Sequence, residues 1–96
     1  MNTSTTILSQ LGGNKFIAMT GSKNFVNTGN GLQMKLTKNK ANAQYLSIEL
    51  NSMDLYDLKF YSIRGVDVKV KNEINSIYCD QLRSIFESVT GLYTSL

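Results

Sequence analysis

The sequence predicts a two-layer α+β domain: an antiparallel sheet of three to five strands, flanked by a short N-terminal helix and a C-terminal amphipathic helix. Three observations lead there. LQMKL (32–36), YLSIEL (45–50) and LYDLKFYSI (55–63) alternate strictly between apolar and polar residues, as half-buried strands do. Their connections are short and rich in Gly, Asn, Asp and Ser, which suits hairpins rather than crossovers. After Asn72 the apolar period becomes that of a helix.

The elements follow in order. Thr3 to Leu11 reads as a short helix with Thr3 or Ser4 as N-cap and Ile7, Leu8 and Leu11 as its apolar stripe; Gly12-Gly13 stops it. KFIAMT (15–20) is short and largely apolar and reads as a strand with little exposure. GSKN (21–24) turns, FVN (25–27) is a short return, and NTGNG (27–31) has hairpin-turn composition. In the three alternating strands Leu32, Met34 and Leu36, then Leu46, Ile48 and Leu50, then Tyr56, Leu58 and Phe60 point inward. TKNKANA (37–43) is a polar loop, NSMD (51–54) a turn, and Arg64-Gly65 ends the third strand. VDVKV (66–70) fits either a fifth, edge strand or an extended lead-in to the last helix. That helix runs from Asn72 as N-cap, with Glu73 in its first turn and Gly91 as C-terminal glycine. Ile74, Ile77, Tyr78, Leu82, Ile85, Phe86 and Val89 form its apolar face, and LYTSL (92–96) is a tail that folds back. Because each alternating strand has one apolar face, the helices cover one side of the sheet. The other side is expected to show Gln33, Lys35, Thr37, Tyr45, Ser47, Glu49, Asp57, Lys59 and Tyr61.

With 96 residues, 42% of them hydrophobic, the chain supports one domain, 1–96, with a modest core that self-association as a homo-oligomer would strengthen. Histidine, tryptophan and proline are absent. Lack of His removes the commonest general base and the commonest zinc ligand. A lone Cys79 rules out a disulfide within the chain, which fits the cytoplasm of a bacterial cell. MNTSTTILSQLGG does not read as a signal peptide, and no apolar run reaches the ~18–20 residues of a membrane span.

Charge is distributed unevenly. Residues 1–48 carry five lysines (Lys15, Lys23, Lys35, Lys38, Lys40) and no acid, whereas residues 49–96 carry five bases and seven acids. Such asymmetry points to an anionic partner, although lysines also keep edge strands and turns soluble.

No catalytic constellation emerges. In GGNKFIAMTGSKNF (12–25) the order Gly21-Ser22-Lys23 lacks the Gly-Lys-Ser/Thr of a phosphate-binding loop, and no helix is expected behind it, so it reads as a turn. Asp54 and Asp57 point in different directions and read as a turn residue and a surface residue. Cys79 has no base to activate it and reads as a small buried or half-buried residue. No cofactor or metal is implied. What remains is a set of cations and aromatics: Lys35 and Lys59 with Tyr45 and Tyr61 on the open sheet face, Lys38 and Lys40 in the adjoining loop, and Lys15 and Lys23 earlier in the basic half. Cations interleaved with aromatics on a sheet suit single-stranded nucleic acid; ordinary cross-strand pairing is the plain alternative. The helix–strands–helix order resembles that of double-stranded RNA-binding domains, but KVKNE (69–73) is a poor match to their basic motif.

LGGNKFIAMTGSKNF (11–25), MDLYDLKFYSIRG (53–65) and YCDQLRSIFESVTGLYTSL (78–96) together resemble small uncharacterised proteins of bacteriophages and other bacterial mobile elements, over most of the chain and in order. The resemblance implies an accessory role and carries no functional residues with it. Two expectations result: a non-catalytic accessory protein that binds nucleic acid through its lysine-bearing half, or a protein-binding module such as an inhibitor of a host or defence protein.

Overall fold

A computed structural model describes residues 3–92, with side chains from Thr5 onward. Helices α1 (Thr3–Leu11) and α2 (Asn14–Thr20) lead into five strands, β1 (Lys23–Asn27), β2 (Gly31–Lys35), β3 (Tyr45–Leu50), β4 (Tyr56–Arg64) and β5 (Asp67–Ile77); a 3₁₀ turn (Cys79–Gln81) and α3 (Leu82–Thr90) close the chain. The strands form one antiparallel meander in the order β1-β2-β3-β4-β5. The helices lie on one face only, so the fold is the predicted α+β arrangement with an open sheet face. Thr3 already belongs to α1, and the side chains of Thr3 and Ser4, either of which was expected to cap it, lie outside the described part of the chain, as does the tail beyond Leu92; Leu92 itself is half-buried against the core.

The core forms where the inward strand residues meet the helices. Leu32, Met34, Leu46, Ile48, Leu58 and Phe60 are buried beneath Ile7, Leu11, Phe16, Leu82 and Phe86. Phe86 sits between Phe16 (ring centroids 5.0 Å, interplanar angle 68°) and Phe60 (6.5 Å). The edge-on Phe16–Phe86 contact places the positive rim of one ring against the negative face of the other.

Glycines end all three helices. After α1, Gly12 N–H donates to the Ser9 carbonyl (3.1 Å) and Gly13 N–H to that of Leu8 (2.9 Å), the paired bonds of a Schellman ending. α2 and α3 share another ending: a buried Thr bonds the Phe carbonyl four residues back, Thr20 to Phe16 (2.8 Å) and Thr90 to Phe86 (2.7 Å). A left-handed glycine follows each, Gly21 (φ 68) and Gly91 (φ 74).

Five expectations are corrected. Residues 15–20 are helical, not a strand. A run this short carries no decisive period, and its Ala and Met favour helix; capped between Gly13 and Gly21, it buries Phe16 and Thr20 on one side. GSKN is only partly a turn, because Lys23 and Asn24 already belong to β1. Thr37 does not face the open side in register, as β2 ends at Lys35; its hydroxyl donates to the Thr20 carbonyl at 2.8 Å.

The fourth correction is the largest. Residues 67–77 form a strand, and the last helix begins only at Leu82. Gly65, with φ 59, opens a two-residue turn at Gly65-Val66 and folds β5 back along β4. The helix-like spacing Ile74–Ile77 is produced by a β-bulge. Ile74 pairs with Leu58 and Ile77 with Tyr56, so three residues on β5 span two on β4. Ser76 adopts φ 57 there, and its N–H donates to Asp57 Oδ1 at 2.9 Å. Two inward residues three apart imitate a helical face. The same bulge gives Asp57 a purpose invisible in the sequence, since Oδ1 also accepts from Asn51 Nδ2 (3.1 Å). Finally, Tyr78 and Cys79 are exposed, not packed on a helix face.

Candidate nucleic-acid interface

Cross-strand register arranges the open face in rows. One row runs Lys23–Lys35–Tyr45–Tyr61–Val70 through every strand. Its two tyrosines stack on each other, with centroids 5.5 Å apart and an interplanar angle of 21°. Burial, and after it the neighbouring Tyr45, raise the Tyr61 phenol above its usual range. The next row is Val26–Gln33–Ser47–Lys59–Glu73, and beyond it Glu49 pairs with Asp57. Glu49, Asp57, Lys59 and Glu73 line one shallow depression of about 320 Å³. The open face therefore has a cationic, aromatic end and an acidic end.

The sequence-predicted cations separate accordingly. Lys23 and Lys35 join Tyr45 and Tyr61 in one row. Lys59 shares their face but sits among carboxylates. Lys38 and Lys40 lie in the β2–β3 loop; Lys40 donates its backbone N–H to the Thr90 carbonyl (2.9 Å) and packs beside Gly91, on the helical side. Lys15 is exposed on α2, also in the helical layer.

A second basic surface was not foreseen. The far end of the β4–β5 hairpin extends past the helices. There Arg64, Lys69 and Lys71, with one acid, Asp67, line a cleft of about 550 Å³ closed on its other side by Asn42 and Gln44 of the β2–β3 loop. Three bonds fasten this loop to the hairpin: Gln44 N–H donates to the Tyr61 carbonyl (3.0 Å), Ser62 Oγ donates to the Asn42 carbonyl (3.0 Å), and Ile63 N–H donates to Gln44 Oε1 (3.2 Å). Alternation from buried Phe60 puts Ser62 and Arg64 on the helical side of the sheet, and pairing puts Lys69 and Asp67 with them. The opposite side of the same hairpin carries exposed Ile63, Val68 and Val70, with Val66 at the tip. The cleft's cations come from the half of the chain with more acids than bases. Only the Arg64-Gly65 turn between two alternating runs could have disclosed them.

Among the described residues no cluster of His, Cys, Asp and Glu is placed to hold a metal ion, and no helix is long and apolar enough to cross a membrane. No family model, curated protein or solved structure matches this chain.

Proposed function

We propose that this chain is a non-catalytic accessory protein of a bacteriophage or mobile element, acting in the bacterial cytoplasm, and that it binds single-stranded nucleic acid on the open sheet face. One observation carries the reading: the continuous row in which Lys23 and Lys35 precede the stacked Tyr45–Tyr61 pair. The lysines supply phosphate contacts, and the tyrosines supply flat faces for bases. The acids at the other end of the face confine the strand to this row. Fluorescence anisotropy of labelled single-stranded DNA and RNA at roughly 50 and 200 mM salt tests it. Expected is salt-sensitive binding that weakens in Lys35→Glu and in Tyr45→Ala. Absence of binding at the lower salt concentration overturns the reading.

A second reading, a protein-binding module such as an inhibitor of a host or defence protein, is favoured by the exposed Ile63, Val66, Val68 and Val70. It predicts binding to a partner protein that is indifferent to salt and lost in Val68→Asp.

A further inference from the structure

We propose that the bound strand does not stop at the open face but crosses the β5 edge and lays its phosphates in the Arg64–Lys69–Lys71 cleft on the other side of the sheet. This rests on the reading above and specifies its ligand: one flexible strand, long enough to use both faces, and not a duplex.

Register carries the argument. The cationic, aromatic row ends at Val70 on the edge strand. Lys69 and Lys71, on either side of Val70 in sequence, line the cleft on the opposite face. A strand that follows Lys23, Lys35, Tyr45 and Tyr61 outward therefore meets these two ammonium groups as soon as it rounds the edge. The alternative path, down the open face, runs into Glu49, Asp57 and Glu73. Within the cleft Asp67 is paired in register with Arg64, which leaves Lys69 and Lys71 as the cations without an in-register acid. Gln44 uses its Oε1 to hold Ile63 N–H, so its amide NH₂ is the end available to a phosphate oxygen. A duplex is too stiff to fold around one strand edge, and it would leave the stacking face unused.

The experiment compares single-stranded oligonucleotides of about four and about fifteen nucleotides, the range of known short binding sites, with a duplex of the longer sequence. Each is titrated against the wild-type chain, Lys69→Glu/Lys71→Glu, Asp67→Asn and Tyr45→Ala, with thermal melting of every variant as a check on folding. The lysine pair should cost the fifteen-mer at least about tenfold in affinity and flatten its salt dependence by about 1.4 in log–log slope, while leaving the four-mer unchanged. Asp67→Asn should tighten the fifteen-mer, and Tyr45→Ala should weaken both lengths. If the fifteen-mer tolerates the lysine pair but not Tyr45→Ala, the edge crossing is wrong and the open-face reading stands. Equal losses for both lengths mean that the lysines act only as distant charge, and they overturn the proposal. So does a duplex that binds as tightly as the single strand. If the wild-type chain binds no strand at all, the open-face reading itself fails and takes this one with it.

Discussion

The helix-covered part of the sheet and the projecting β4–β5 hairpin are built from the same alternating pattern, yet they use it oppositely. Under the helices, the inward residues Leu46, Ile48, Leu58 and Phe60 are at most 1% exposed. On the hairpin the apolar side is turned the other way, to the open face: Val68 is 60% exposed, and Val66 at the tip is 97% exposed. One region spends its apolar side chains on stability, at about 25 cal/mol per Å² buried. The other gains little from them and sets cations behind them. Apolar and charged groups that the fold does not require are where a binding role is best sought.

The contrast breaks most visibly at Phe60. Phe60→Ala empties a fully buried site against Phe86 and should cost about 3–5 kcal/mol, much of the total for so small a domain. Urea unfolding measures it, and a loss below about 1 kcal/mol would mean that the covered half is loosely packed. Gly31→Ala comes next. A Cβ at Gly31 would stand 1.9 Å from the Ile48 carbonyl oxygen and 2.8 Å from Glu49 Cα, and backbone on the neighbouring strand cannot step aside cheaply. The expected cost is roughly 1–3 kcal/mol, read in the same titration.

On the hairpin, Val68→Thr/Val70→Thr should change stability by no more than about 1 kcal/mol, since both side chains are exposed and Thr keeps the strand preference. A larger loss, growing with protein concentration in analytical ultracentrifugation, would show that a second copy covers this face.

The smallest effect is on alkaline stability. Burial raises the Tyr56 phenol above its usual value of about 10, the nearby Cys79 charge adds to this, and the hydrogen bond with Gln10 opposes it. Folded Tyr56 thus holds its proton where the unfolded chain has begun to lose it. Its contribution is intact below about pH 10 and is lost as pH rises toward the folded value. Tyr56→Phe should flatten that decline, as denaturant midpoints at pH 9 and 11 would show.

Much of the candidate interface was legible before the fold was known. Alternation alone placed Lys35, Tyr45, Lys59 and Tyr61 on one face. It did not reveal that Lys59 sits among acids, because neighbours across a sheet are set by register and not by sequence distance. The Arg64, Lys69 and Lys71 cleft was illegible for a related reason. VDVKV (66–70) fits an edge strand or a lead-in equally well and residues 72–78 mimic a helix, so the length of β5 and the cleft it lines were out of view.

By itself the sequence determined the α+β class, the inward residues of β2, β3 and β4, the glycine stops after α1 and α3, and the one-sided cover. These rest on local periodicity and on backbone conformations that only glycine takes freely. Tertiary structure decided three things. KFIAMT became a helix because so short and largely apolar a run takes the form that buries Phe16 against Phe86. Asn72–Ile77 became strand because the Gly65-Val66 turn delivers it to the free edge of β4, where ladder hydrogen bonds await and a bulge absorbs the extra residue. The charged surfaces were assembled last, by pairing residues of different strands in a register that no local pattern encodes.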